Sequence, residues 1–383
     1  MKNGPVKFIL IWSRVKILYN EYGFKMNLIR PIAFYLPQYH PIPENDEWWG
    51  KGFTEWTNTV KAKPMFSGHY QPHLPADLGF YDLRVPEARK AQADMAKQYG
   101  LEGFCYYHYW FGGKQLLERP FIEVLKTGEP DFGFCLCWAN ETWSGVWHGE
   151  PKRVLVEQFY PGVEDHQAHF DYLLPAFQDK RYITVDERPV FVIYRPMNIP
   201  ELKNTLNLWR NMALKAGLKG LHLVGVGKSR SDWDPKEYGF DASINPRIPP
   251  LRDDWVSWRT PIKKISHYRQ IKKQLPTIYS YEEVIPTLLK KLSPGIEDYP
   301  CVIPNWDNTP RSGSRGLVLN GSTPELFRKH LREGISLAKN LPEKSRFLFI
   351  KSWNEWAEGN HLEPDVKYGH EYLKVLKYEL MNC

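Results

Sequence analysis

Short apolar runs recur along this chain, and most are followed by a longer stretch whose apolar positions fall three and four residues apart. Eight runs read as strands: 32–36, 103–107, 133–138, 190–194, 221–226, 242–245, 302–306 and 347–352. Helices are expected over 85–99, 115–126, 165–177, 201–216, 281–292 and 324–339, with a last one over 368–380. Gly100 supplies a stop for the first of them and Pro324 a start for the sixth. Between the fifth and sixth strands there is room only for a short helix around 235–238. Strand and helix in alternation imply a parallel sheet, and eight strands close a (β/α)8 barrel, the TIM-barrel class. A doubly wound open sheet is the competing arrangement. In its nucleotide-binding form it calls for a Gly-rich phosphate loop after the first strand, and the chain has none there.

Two connections are too long to be plain turns, 37–81 after the first strand and 246–280 after the sixth. Both leave the C-terminal ends of strands, where barrel enzymes keep their active sites. Long loops inside a compact domain are usually functional. With no internal repeat or interdomain linker, 26–383 reads as one catalytic domain. Residues 1–25 read as a loosely attached extension, with Met26 as the natural start.

Composition narrows the function classes. The 383 residues are 42% hydrophobic, enough for one large domain or two ordinary ones. An aromatic content of 15%, with 15 Trp and 22 Tyr, is high and fits a protein that handles carbohydrate. A net charge of +7 is mild and gives no indication of nucleic-acid binding. The basic run 263–273 reads as a solvated helix face or as contact with an anionic partner, either a phosphate-bearing substrate or an acidic membrane surface. Cys105, Cys135, Cys137 and Cys301 lie in strand-like runs and Cys383 ends the chain. Their number is odd and no spacing suits a zinc knuckle, so a reducing cytoplasm is expected, with membrane contact at most peripheral. The apolar segment 8–12 is too short to span a bilayer.

Candidate chemistry gathers where strands end. The eighth run opens into Lys351-Ser352-Trp353-Asn354-Glu355-Trp356-Ala357-Glu358-Gly359, two glutamates three residues apart among tryptophans. Paired carboxyls can divide the roles of proton donor and base or nucleophile at a glycosidic bond. Indole faces stack on pyranose rings. The first strand ends near Tyr35 and His40, and its loop adds Glu55 and Trp56; the second ends with Tyr107, His108 and Trp110. The third ends with Trp138, Asn140, Glu141 and Trp143, the seventh with Asn305, Trp306 and Asp307. Asn354 and Trp356 accompany the glutamates. On this reading Glu355 and Glu358 are catalytic and the others bind substrate. His69 and His73 have Pro72 between them and no acidic partner nearby in sequence, so neither a metal nor any other cofactor is expected. A Gly-x-Ser-x-Gly elbow is missing, which leaves acyl transfer little support.

These motifs resemble the WbsX-type family of bacterial polysaccharide-biosynthesis proteins. The resemblance rests on 33–40, on Gly52-Phe53-Thr54-Glu55-Trp56, on 103–111, on Trp138-Ala139-Asn140-Glu141-Thr142-Trp143 and on 353–359. That family is similar in turn to glycoside hydrolase family 99, the endo-α-mannosidases, which are (β/α)8 barrels. The resemblance implies that Glu355 acts as a base assisting attack by the substrate's own 2-hydroxyl, and that Glu358 protonates the leaving oxygen and then activates the acceptor. Spacing alone equally allows a direct carboxylate nucleophile, or inversion if the carboxyls lie far apart. The third-strand segment differs from the endo-mannosidase version, so mannan specificity does not carry over. The implied function is to form or cleave a glycosidic bond in cell-surface polysaccharide metabolism of the O-antigen or lipopolysaccharide type. The implied partner is an oligosaccharide or polysaccharide, including a lipid-linked glycan. A sugar-binding barrel without catalysis is the alternative.

Overall fold

The computed structural model describes residues 28–145, 150–227, 234–246, 248–249, 275–289 and 295–383. Both the 1–25 extension and the basic run 263–273 lie outside them. Nine strands form one parallel path: β1 (Arg30–Tyr35), β2 (Gly103–His108), β3 (Gly133–Trp138), β4 (Arg188–Ile193), β5 (His222–Val226), β6 (Ala242–Ile244), β7 (Asp298–Tyr299), β8 (Cys301–Val302) and β9 (Phe347–Ile350). β1 pairs with β2 on one side and β9 on the other, and the path runs on through β3, β4 and β5 to β6. All of the expected strand positions are occupied.

The seventh stave of the barrel is where the expectation changes. It is two short pieces, β7 bonded to β6 and β8 bonded to β9, separated by Pro300. Proline has no N–H to give a ladder, but its carbonyl still accepts from Phe349 N at 2.9 Å. The stave therefore changes partner at the proline and brings the two ends of the sheet together. The chain leaves the sheet after Val302, earlier than expected, which frees Asn305, Trp306 and Asp307 to form loop structure.

Helices cover the outside: α1 (Pro43–Trp49), α2 (Glu55–Lys61), α3 (Pro86–Gln98), α4 (Arg119–Thr127), α5 (Val163–Phe177), α6 (Leu202–Lys215), α7 (Tyr281–Leu288), α8 (Thr309–Ser312), α9 (Pro324–Ala338) and α10 (Glu371–Met381). Among the described residues of the β5–β6 connection is the 3-10 turn Pro235–Tyr238, the short helix expected there. α9 shows why such a segment becomes a barrel helix. The Thr323 side chain caps its first turn by accepting from Leu326 N, and Pro324 needs no partner there. Phe327, Leu331, Ile335 and Ala338 then form one buried stripe against the sheet. Gly334 lies in that stripe because a Cβ there would come within 2.6 Å of Val302 Cγ1. No helix among the described residues is long and apolar enough to cross a membrane. Cys105, Cys135, Cys137 and Cys301 are free and buried.

Candidate active site

Loops at the C-terminal ends of the strands enclose a cleft of ≈ 530 Å³. The run 347–352 delivers its chemistry there because β9 stops at Ile350 and a small antiparallel hairpin follows. Asn354–Glu355 pairs with Asn360–His361 across the turn Trp356–Glu358. Gly359 closes the turn at φ +56, a conformation that costs a residue with a side chain. A Cβ at Gly359 would also come within 3.0 to 3.3 Å of Asp307. Asp307 N donates to the Glu358 carbonyl at 2.6 Å. The hairpin is thus seated on the 305–309 loop, and both glutamate side chains line the cleft.

Two cations face them, Lys351 buried and Arg311 mostly so. Lys351 Nζ lies 3.2 Å from Glu355 Oε2 and 3.3 Å from the Tyr107 hydroxyl, with the Trp306 ring 5.2 Å away. Arg311 donates from Nη1 to Glu358 Oε1 at 2.7 Å, and from Nε and Nη2 to Glu55 Oε2 at 3.0 and 2.8 Å. The charge balance is decisive. Glu55, Glu355 and Glu358 set three buried carboxyls against the buried Lys351 and the mostly buried Arg311, and a site largely away from water resists carrying a net charge. One proton neutralises it. Burial pushes the Glu355 carboxyl up, but Lys351 and Arg311 outweigh burial and hold it below the ordinary glutamate value. Burial, and then the charge on Glu355, push the Glu358 carboxyl up to about 8. The pair is thus pulled apart, Glu355 towards the carboxylate and Glu358 towards the acid.

Of the residues singled out in the sequence, Glu55, Tyr107, Glu141, Trp143 and Trp306 line this cleft with Glu355 and Glu358. Others lie behind it. Asn354 is buried and bridges to β1, accepting from Leu36 N at 2.7 Å and donating to its carbonyl. Asn140 holds the Arg195 backbone through both N and O. Trp356 is buried, stacked on His361 and bonded through Nε1 to Glu363; Trp56 packs on it and donates to the Tyr81 carbonyl. His108 meets His169 at 2.8 Å, and Trp110 and Trp138 pack around that ring. Tyr35 bonds Gln92, and His40 contacts the Pro37 carbonyl at 3.0 Å. Asn305 and Asp307 border a second, smaller cavity. Lys351, Arg311 and Tyr109 line the cleft without having been singled out. A lysine closing the apolar run Phe347–Ile350 was a readable signal. Arg311, in the four-residue α8, carries none.

A cleft at the C-terminal face of a (β/α)8 barrel, walled by aromatics and floored by paired carboxyls, is the arrangement of carbohydrate-active barrels. Residues 31–376 match the family described as Glycosyltransferase WbsX, and the chain belongs to that family. It is 39% identical over 352 residues to the uncharacterized protein WxcX of Xanthomonas campestris pv. campestris, covering 91% of this chain and 49% of the relative. The chain therefore spans about half the length of the curated relatives it matches. Among solved structures it is similar to a glycoside hydrolase-like protein, with TM-score 0.56, 14% identity and 97% of each chain covered. It is also similar to the GH99 endo-alpha-mannosidase from Bacteroides thetaiotaomicron, with TM-score 0.51, 15% identity, and 91% of this chain and 96% of the other covered. At such identities the likeness is one of fold.

Proposed function

We propose that this chain is a carbohydrate-active enzyme that breaks a glycosidic bond with retention, and passes the glycosyl group to a sugar hydroxyl or to water. One observation carries the reading: two buried glutamates line one cleft, Glu355 3.2 Å from Lys351 and Glu358 2.7 Å from Arg311, with Glu355 held down and Glu358 pushed up. Retention follows the family resemblance drawn from the sequence; an inverting pair would hold a water across about 6.5–9.5 Å. Glu355 takes the proton of the substrate's 2-hydroxyl as that oxygen closes on the anomeric carbon, and Glu358 gives its proton to the departing oxygen. Glu358, now a carboxylate, then takes the acceptor's proton as the acceptor attacks the same carbon, and Glu355 returns its proton to O2. The family description, a glycosyltransferase, favours transfer to a sugar acceptor over hydrolysis, and a saccharide donor and acceptor fit the cleft's aromatic and hydrogen-bonding walls.

The test is turnover of α- and β-linked oligosaccharides and glycosyl fluorides, with and without nucleotide sugars, by the wild type and by Glu355→Gln and Glu358→Gln. Turnover without nucleotide that falls at least ~10³-fold in both variants is expected. A requirement for nucleotide sugar that survives both substitutions would sink the two-glutamate reading. Folded protein that binds oligosaccharide but turns over none of the panel would make this a binding barrel.

A further inference from the structure

Behind the catalytic hairpin lies the second cavity, of ≈ 130 Å³. Three buried side chains meet at its edge: His73 from the loop after β1, and His361 and Asp365 from the chain that leaves the hairpin. Their nitrogen and oxygen atoms lie within 4.8 Å of one another. Sequence order hides this, since the partners of His73 lie almost three hundred residues away, 288 in the case of His361.

His361 Nδ1 faces the Glu363 carbonyl at 3.0 Å, and a carbonyl only accepts, so Nδ1 carries the ring hydrogen. Its Nε2 lies 3.0 Å from His73 Nδ1. Asp365 Oδ1 accepts from Tyr368 N at 2.6 Å, while Oδ2 is met by the Tyr70 hydroxyl at 3.4 Å, long for a hydrogen bond. Lys367 does not neutralise this carboxylate directly, because its ammonium rests on the Tyr70 and Tyr368 rings at 4.4 and 4.7 Å.

We propose that His73, His361 and Asp365 form the binding site of a divalent first-row transition-metal ion, which clamps the catalytic hairpin to the loop after β1. Two imidazoles and one carboxylate suit zinc, manganese or cobalt, whereas calcium and magnesium take oxygen. Nitrogens 3.0 Å apart subtend roughly a right angle at an ion about 2.1 Å from each, the angle between neighbouring ligands of a five- or six-coordinate ion. The Glu363 carbonyl behind His361 is the outer partner that orients a ligating imidazole. On binding, the proton shared by the two rings moves to the other nitrogen of His73, and the open coordination positions face the cavity. Because His361 pairs with Asn354 and lies three residues beyond Glu358, the ion fixes the segment that carries both glutamates.

The test uses untagged protein stripped with a chelator and then titrated with Zn²⁺, Mn²⁺ or Co²⁺, with bound metal counted by elemental analysis. One equivalent is expected, raising the thermal midpoint, with affinity falling on the order of 100-fold in His361→Gln and Asp365→Asn. Cu²⁺ loaded as a spin probe on the wild type should show two coordinated imidazoles by pulsed EPR, a readout independent of whether either variant folds. Sub-stoichiometric uptake of all three ions by the wild type overturns the proposal. So does a probe with fewer than two imidazoles, or affinity unchanged in both folded variants.

Discussion

In the proposed mechanism, Lys351 sets which glutamate is the base. Its ammonium lies 3.2 Å from Glu355 Oε2, and it also lowers Glu358. Activity needs Glu355 ionised, so it falls as pH drops through the depressed Glu355 value. It needs Glu358 protonated, so it also falls as pH rises through about 8. Lys351→Met removes a positive charge that lowers both carboxyls, and both limbs of the pH–rate profile should move to higher pH. The maximum should fall by roughly 10²-fold, the scale of one acid–base group. A profile that keeps its acidic limb in place would show that another group holds Glu355 ionised. The pair itself was legible in the sequence, because two acids beside tryptophans at a strand end have no use in a core. The cations were not, because charge compensation is a property of three dimensions. Arg311 reaches Glu55 across 256 residues. Nor could the sequence say which tryptophans face the cleft. Trp353 and Trp356 are buried as packing beneath the hairpin, while Trp143 and Trp306 reach the cleft.

At the scale of elements, repeating apolar runs were enough for the barrel, since every stave is buried and needs such a run. Short elements stabilised by their surroundings were missed. α1 and α2, seven residues each, occupy what read as loop, α2 being started by reciprocal Thr54–Thr57 hydrogen bonds rather than by periodicity. The strand pair Thr277–Ser280 with Leu317–Asn320 was missed likewise. One contact between elements can be tested directly. At Gly334 an added methyl meets Val302 Cγ1 at 2.6 Å and Leu348 Cδ1 at 3.0 Å. Gly334→Ala should therefore destabilise by ~1–3 kcal/mol through overpacking, despite a helix-propensity gain of up to about 1 kcal/mol. Adding Val302→Ala removes the nearer methyl and should restore part of the loss in urea unfolding. A neutral or stabilising Gly334→Ala would mean that α9 moves outward at little cost.

Across the whole molecule, the unusual feature is how many histidines the fold buries as neutral rings. Burial lowers His40 and His222 to about 4, His108 and His330 to about 3, and His169 well below its ordinary value. Each takes up a proton when the chain unfolds below about pH 6.5, so the unfolded state gains on acidification. Two carboxyls act in the opposite sense. Burial raises Glu358 and Glu363, to about 8 and about 7, so the folded protein already carries their protons between pH 7 and 4.5 and unfolding releases them. Burial lowers His73, His166 and His361 as well, so uptakes by histidine outnumber the two releases. Stability should therefore fall with each step of acidification below about pH 6.5, by roughly 1.4 kcal/mol per pH unit for each net proton taken up. Urea midpoints at pH 7, 6 and 5 test this, and a midpoint that holds or rises on acidification would show that these rings are not kept neutral. The outcome bears on the site. If the barrel unfolds before wild-type Glu355 can be protonated, the acidic limb of wild-type activity is set by the fold, and Lys351→Met becomes the variant in which the titration of Glu355 is seen.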